Sequence, residues 1–204
     1  MIYIDIKENI YKYQDAIIVD ITNTNEKNEF RKLSPLYSHG DIPLPNTTNI
    51  CSKSINEVWQ RLCINGKNES SYYNVRFRKG IGINDFWDYI DARKNILIPI
   101  YCWMLENKAY DIVENLRSVP SAKTVVIIDK TINSDINNLR EPFSCAFLLK
   151  SYIEGTGPYK DAIVEIEECV YKMVGRKDVC YKKIKRVAKK IAKVYTDPQR
   201  ILEL

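Results

Sequence analysis

Histidine is almost absent from this chain: His39 is the only one among 204 residues. The cysteines Cys51, Cys63, Cys102, Cys145, Cys169 and Cys180 include no C-x-x-C pair. Zinc-ligand spacing is therefore missing, and no metal or other cofactor is expected. Cysteines scattered in this way read as small buried hydrophobes and not as a disulfide framework. No apolar run approaches the roughly 18 residues that a membrane span needs. The opening MIYIDIKENIYKY alternates apolar and polar residues and lacks the basic and apolar regions of a secretory signal. The expectation is an intracellular, cytoplasmic protein with no membrane partner. Neither a Walker nor a Rossmann glycine pattern occurs, and the lone Gly80-Ile81-Gly82 does not replace one. Internal repeats and low-complexity tracts are also missing.

What remains is enough for one sizeable core, since 45% of the residues are hydrophobic. The net charge of +5 is unevenly placed. Residues 176–193 hold nine Lys or Arg against Asp178 alone, 9 − 1 = +8, so the rest of the chain sums to −3. Lys182, Lys183, Lys185, Arg186, Lys189 and Lys190 form the densest part of that run. Two readings stand for it: contact with nucleic acid or an acidic partner, or a solvated helix face whose apolar stripe docks on the domain.

The chain opens with two β-branched runs, Ile2–Ile6 (with Tyr3) and Ala16–Ile21, which predict strands. A long loop, Thr22–Lys53, follows and is punctuated by Pro35, Pro43 and Pro45. A loop of that length is functional or disordered; its tyrosine, histidine and prolines favour a fixed binding loop. Ser54 with Glu57 predicts a capping box, ahead of Ile55, Val58, Trp59 and Leu62 on one helical face. Tyr72–Lys79 reads as extended. Asn84 or Asp85 is expected to cap a second helix carrying Phe86, Tyr89, Ile90 and Arg93. In the apolar Ile96–Leu105, Pro99 marks either the first turn of a new helix or a kink. Tyr110–Leu116 is a further short helix. Thr124–Asp129 (TVVIID) predicts a central buried strand, and Phe143–Ile153 a helix ended at Gly155 and Gly157. The expected class is α+β: a mostly helical single domain over 1–157 with a few short strands, and a basic two-helix extension over 158–204.

Several residues are candidates for chemistry. His39 beside Gly40 suits a general base or a nucleotide contact, or plain surface packing. Trp59 offers a stacking ring and Gln60 an amide, unless Trp59 is core and Gln60 solvent-facing. Glu57 is a catalytic carboxylate or a cap. Asp129 closes the TVVIID strand, where carboxylates of α/β folds often face a ligand, or caps the next turn. Arg76, Arg78 and Lys79 make a candidate phosphate patch.

The run LSPLYSHGDIPLP (Leu33–Pro45) followed by SINEVWQRL (Ser54–Leu62) resembles an uncharacterised bacterial family with the pattern LSPFYPHGGIPVP…SVEGIWQGLK. The likeness continues through Ala92-Arg93-Lys94, Ile98–Trp103 and Thr124–Asp129, covering about residues 30–155. That pattern in turn resembles the NADAR superfamily, with its SNFYP loop and SEHxxQxxK helix. The resemblance implies an α+β N-glycosidase acting on a small nucleotide-like ligand of the ADP-ribose or ribosyl-nucleotide kind. It places Ser34, Tyr37, His39, Trp59 and Gln60 at the substrate, with Arg78 and Lys79 for phosphate and Glu57 or Asp129 as the carboxylate. Two positions depart from the pattern: Asn56 stands for the helix glutamate and Cys63 for the lysine. Asparagine supplies neither a general base nor a negative charge. Either Glu57 substitutes, or the domain is a catalytically inactive version that works as a nucleic-acid or protein binding module.

Overall fold

The computed structural model describes residues 1–47, 50–64 and 72–156. The expected two-helix extension and its six basic candidates, Lys182 to Lys190, lie outside the described residues. The fold is α+β. Its centre is a parallel three-stranded sheet in the order β1 (Ile2–Ile6), β7 (Val125–Asp129), β2 (Ile17–Asp20). The expected central strand is indeed the middle one: Val125 to Ile128 are all buried, whereas β1 and β2 are mostly half-exposed. An unbroken β-branched run suits a strand covered on both faces, and a mixed pattern suits an edge.

Two helices build the core beside the sheet. Helix α3 (Ile98–Asn107) is buried at every position from Ile98 to Leu105, so it is apolar on all sides as a central helix must be. Helix α5 (Cys145–Glu154) packs on β1, β7 and α3. Gly155 ends it at φ 64°, a left-handed cap that favours glycine. Helix α4 (Tyr110–Arg117) leans on both α3 and α5.

The proline-rich loop is ordered because it is tied down. It holds a short ladder between β3 (Ile42–Pro43) and β4 (Cys51–Ser52). Leu33 and Ser34 are fully buried, and the Tyr101 hydroxyl of α3 donates to the Leu33 carbonyl at 2.7 Å. The Asn56 N–H donates to the Pro35 carbonyl at 3.0 Å, which joins the loop to the start of α1 (Ile55–Leu62).

The second helix starts later than its sequence suggests. Phe86–Trp87 is a strand, β6, paired with β5 (Phe77–Arg78). Neither Asn84 nor Asp85 caps a helix. The Asp85 carboxylate holds Lys79 at 2.6 Å and accepts from the Phe86 N–H at 2.8 Å, and Asp88 caps α2 (Tyr89–Ala92) through the Asp91 N–H. From α2 the chain runs on through a π-helical turn, Arg93–Leu97, into α3. Pro99 explains the wide turn: it has no N–H for the Asn95 carbonyl, and its ring crowds that oxygen. The Ile98 N–H reaches back five residues to the Arg93 carbonyl instead. Such π turns occur frequently at functional sites.

Candidate functional site

A cavity of about 300 Å³ opens at the carboxyl ends of β2 and β7. This is where open parallel sheets place ligands, because the strand ends and the helix starts that follow them converge there. Ile21 and Thr22 leave β2, and Asp129, Lys130 and Thr131 leave β7. Ile55, Asn56 and Trp59 come from the first turns of α1, and Phe143 and Cys145 from the start of α5. Tyr89, Arg93 and Leu97 line it from α2 and the π turn, with Pro35 and Leu36 from the loop. The volume is at the lower limit for small-molecule sites and suits a group of about nucleoside size.

The aromatic wall is a packed cluster. Trp59 lies 4.2 Å from Phe77 and 5.6 Å edge-on from Tyr89, ring centre to ring centre. Tyr89 also stacks on Tyr72 at 4.5 Å. Burial pushes the Tyr89 phenol up to about 12, so it is a neutral hydroxyl at physiological pH. Arg93 is the largest fully buried side chain. Its Nη1 donates to the carbonyls of Ile136 and Asn138 at 2.7 Å each, and its Nη2 to that of Glu141 at 2.6 Å. Its guanidinium lies 4.8 Å from the Tyr89 ring centre and 5.9 Å from that of Phe143. Burial pulls its pKa below the usual arginine value, yet guanidinium holds its proton in proteins.

Among the described residues, Asp129 is the only carboxylate lining the cavity. Its Oδ2 accepts from the Ser144 hydroxyl and the Ala146 N–H at 3.0 Å each, and its Oδ1 from the Lys130 N–H at 2.7 Å. Asp129 thus lies at the strand end, on the cavity lining, and also accepts from the first residues of α5. Ser144 is itself the N-cap of α5. Burial first, and the Asp129 charge second, hold the Cys145 thiol well above the ordinary value.

The other candidates are placed as follows. Asn56, and not Glu57, lines the cavity. The Glu57 N–H donates to Ser54 Oγ at 3.1 Å, and its carboxylate accepts from the Lys53 N–H at 2.6 Å, so Glu57 closes a capping arrangement. Gln60 is exposed on α1 and outside the lining. Ser34 is buried and accepts from the Leu36 N–H at 3.3 Å. Tyr37 and His39 lie edge to face at 4.7 Å, with His39 Nε2 2.9 Å from the Lys32 carbonyl, and neither lines the cavity. Arg78 is exposed on β5. Lys79 is held by Asp85 and lies 4.2 Å from the Trp87 ring centre, so it too stands apart from the cavity. Sequence reasoning missed Arg93, Tyr89 and Phe143 as wall residues. The one available signal was Pro99 after an arginine-bearing helix start. Among the described residues, no group of three or more His, Cys, Asp or Glu could hold a metal ion, and no helix is long and apolar enough to cross a membrane.

The chain belongs to a family of unknown function (DUF6939), whose model matches residues 5–75 and 70–149. Those two stretches carry β2, β7, the loop and every described residue that lines the cavity. No curated protein and no solved structure matches the chain.

Proposed function

We propose that the cavity binds a ribosyl-nucleotide of the ADP-ribose kind and acts on its N-glycosidic bond. The observation that carries this reading is the meeting of the Trp59 ring with the Asn56 amide and the Asp129 carboxylate in one nucleoside-sized cavity. An indole face stacks on a base, and an amide pairs with base or ribose edges. Departure of the base leaves positive charge on the ribosyl carbon, and a carboxylate beside that carbon stabilises it. The C–N bond breaks, water adds to the carbon, and the base leaves with a proton. The resemblance of the Leu33–Pro45 loop and the Ser54–Leu62 helix to NADAR glycosidases supports the same substrate class.

A second reading is binding without hydrolysis. It is favoured by Asn56, a neutral residue lining the cavity where the resemblance implies a glutamate. Titration calorimetry with ADP-ribose and with NAD, followed by chromatography for released base, separates the two. Binding with turnover, abolished in Asp129→Asn and kept in Glu57→Gln, is the expected result. Binding without turnover selects the inactive module. No heat with either ligand sinks both.

A further inference from the structure

We infer that the ligand of this cavity carries an anionic group, a phosphate or a carboxylate, and that Arg93, not Arg78 or Lys79, is what selects for it. The inference rests on the cavity being a ligand site.

The electrostatics of the cavity point this way. Arg93 lines it, has no exposed surface, and has no carboxylate within 4 Å among the described residues. Removing a cation from water is costly unless charge or hydrogen bonds offset it. Three carbonyls of the 136–141 loop take three of its five N–H donors. The Nε–H is buried and without any partner. The Tyr89 side chain is hydrogen-bonded to the guanidinium as well, and Asp135 acts on it only through space.

The surroundings add to the positive field. The first turns of α1 and α5 both border the cavity, and helix starts carry partial positive charge. Lys130 stands exposed at the rim. The lining thus has two cations, Arg93 and Lys130, against one carboxylate. That carboxylate, Asp129, already accepts from three donors. A neutral ligand would leave the buried charge as it stands, whereas an anion in the cavity would offset it. Arg78 and Lys79, the cations that the sequence offers for phosphate, lie outside the cavity, and Lys79 is already paired with Asp85.

The test uses the full-length protein labelled with nitrogen-15. The Arg93 Nε–H resonance is followed while sodium phosphate, pyrophosphate, AMP and adenosine are added in turn, and affinities are measured in parallel. AMP is expected to bind about tenfold or more tightly than adenosine, the range for a hydrogen bond to a charged group. Phosphate and pyrophosphate alone should shift the Nε–H resonance, and 0.5 M sodium chloride should weaken that shift. Arg93→Lys should retain part of the AMP preference and Arg93→Gln should lose it, while Arg78→Ala with Lys79→Ala should leave it unchanged. Wild-type resonances carry the result even if an Arg93 variant fails to fold. Equal affinity for AMP and adenosine, with the Nε–H resonance unmoved by phosphate, would overturn the inference and leave the nucleoside reading intact. A phosphate-driven shift without any nucleoside binding would uphold it and remove the proposed function.

Discussion

Removing one oxygen atom, in Tyr101→Phe, tests how the proline-rich loop is held. Tyr101 is wholly buried in α3, and its hydroxyl donates to the Leu33 carbonyl at 2.7 Å, across 68 residues of sequence. Phenylalanine fills nearly the same volume, so packing changes little. What changes is the buried carbonyl, which loses its donor in a place that water does not reach. Leaving one such group unsatisfied costs about 1–3 kcal/mol. For a chain of this size each kcal/mol lowers Tm by roughly 2–4 °C, so a drop of roughly 4–8 °C is expected for a loss near 2 kcal/mol. The loop also carries Pro35 and Leu36, which line the cavity, so ligand affinity should weaken along with stability. Urea denaturation gives the free energy and calorimetry with the ligand gives the affinity. A loss under about 0.5 kcal/mol, a size ordinary for surface substitutions, would refute the claim that this bond anchors the loop.

Ser144→Ala removes the N-cap of α5 and one hydrogen bond to Asp129 together; chemical denaturation should show a loss of about 1–2 kcal/mol, and turnover, where present, should fall because the carboxylate is no longer fixed. Gly80→Ala would bring a Cβ to 2.9 Å from Ile83 Cδ1 and 3.1 Å from the Pro45 carbonyl oxygen; the backbone cannot yield as a side chain can, so thermal unfolding should report a loss of about 1–3 kcal/mol. His39 has a pKa pulled down chiefly by burial, with Lys108 and Lys32 adding to it. A histidine depressed on folding contributes stability in full above its unfolded value near 6.5 and loses it as pH falls toward its folded value. Unfolding curves of the wild type should therefore lose stability below pH 6.5 in part through this group, and His39→Gln should lose less over the same window; parallel pH profiles would remove His39 as the source.

The elements legible in the sequence are those whose signal is local. TVVIID could be placed at the sheet centre because five successive β-branched residues ahead of the closing Asp129 suit a doubly covered strand. Ser54 and Glu57 marked the start of α1 because capping chemistry acts over three residues. The hairpin of Phe77–Arg78 with Phe86–Trp87 was hidden for the opposite reason. Phe86, Tyr89, Ile90 and Arg93 do fall at helical spacing, but Phe86 is held by cross-strand pairing with Arg78 and by an Asp85 carboxylate engaged with Lys79. Periodicity does not register a partner eight residues upstream. The cavity wall was harder still. Arg93 is held by carbonyls 43 to 48 residues further along the chain, a distance at which a single sequence carries no pattern.

The way Asp129 is held limits the chemistry that the cavity can perform. A general base must take a proton from water, and it works best when its carboxylate is loosely hydrated or raised in pKa. Asp129 instead accepts from a hydroxyl and two backbone N–H groups, which hold the carboxylate in one orientation. Such a carboxylate is fixed in position. It is suited to facing a developing positive charge, which needs placement and not proton transfer. Cleavage in this cavity, if present, would then pass through a dissociative step in which the base leaves ahead of water attack. A kinetic isotope effect at the ribosyl carbon's hydrogen should be large and normal in that case. A negligible effect, with rate tracking the ionisation of a group near neutral pH, would instead require a base that the cavity lining does not contain.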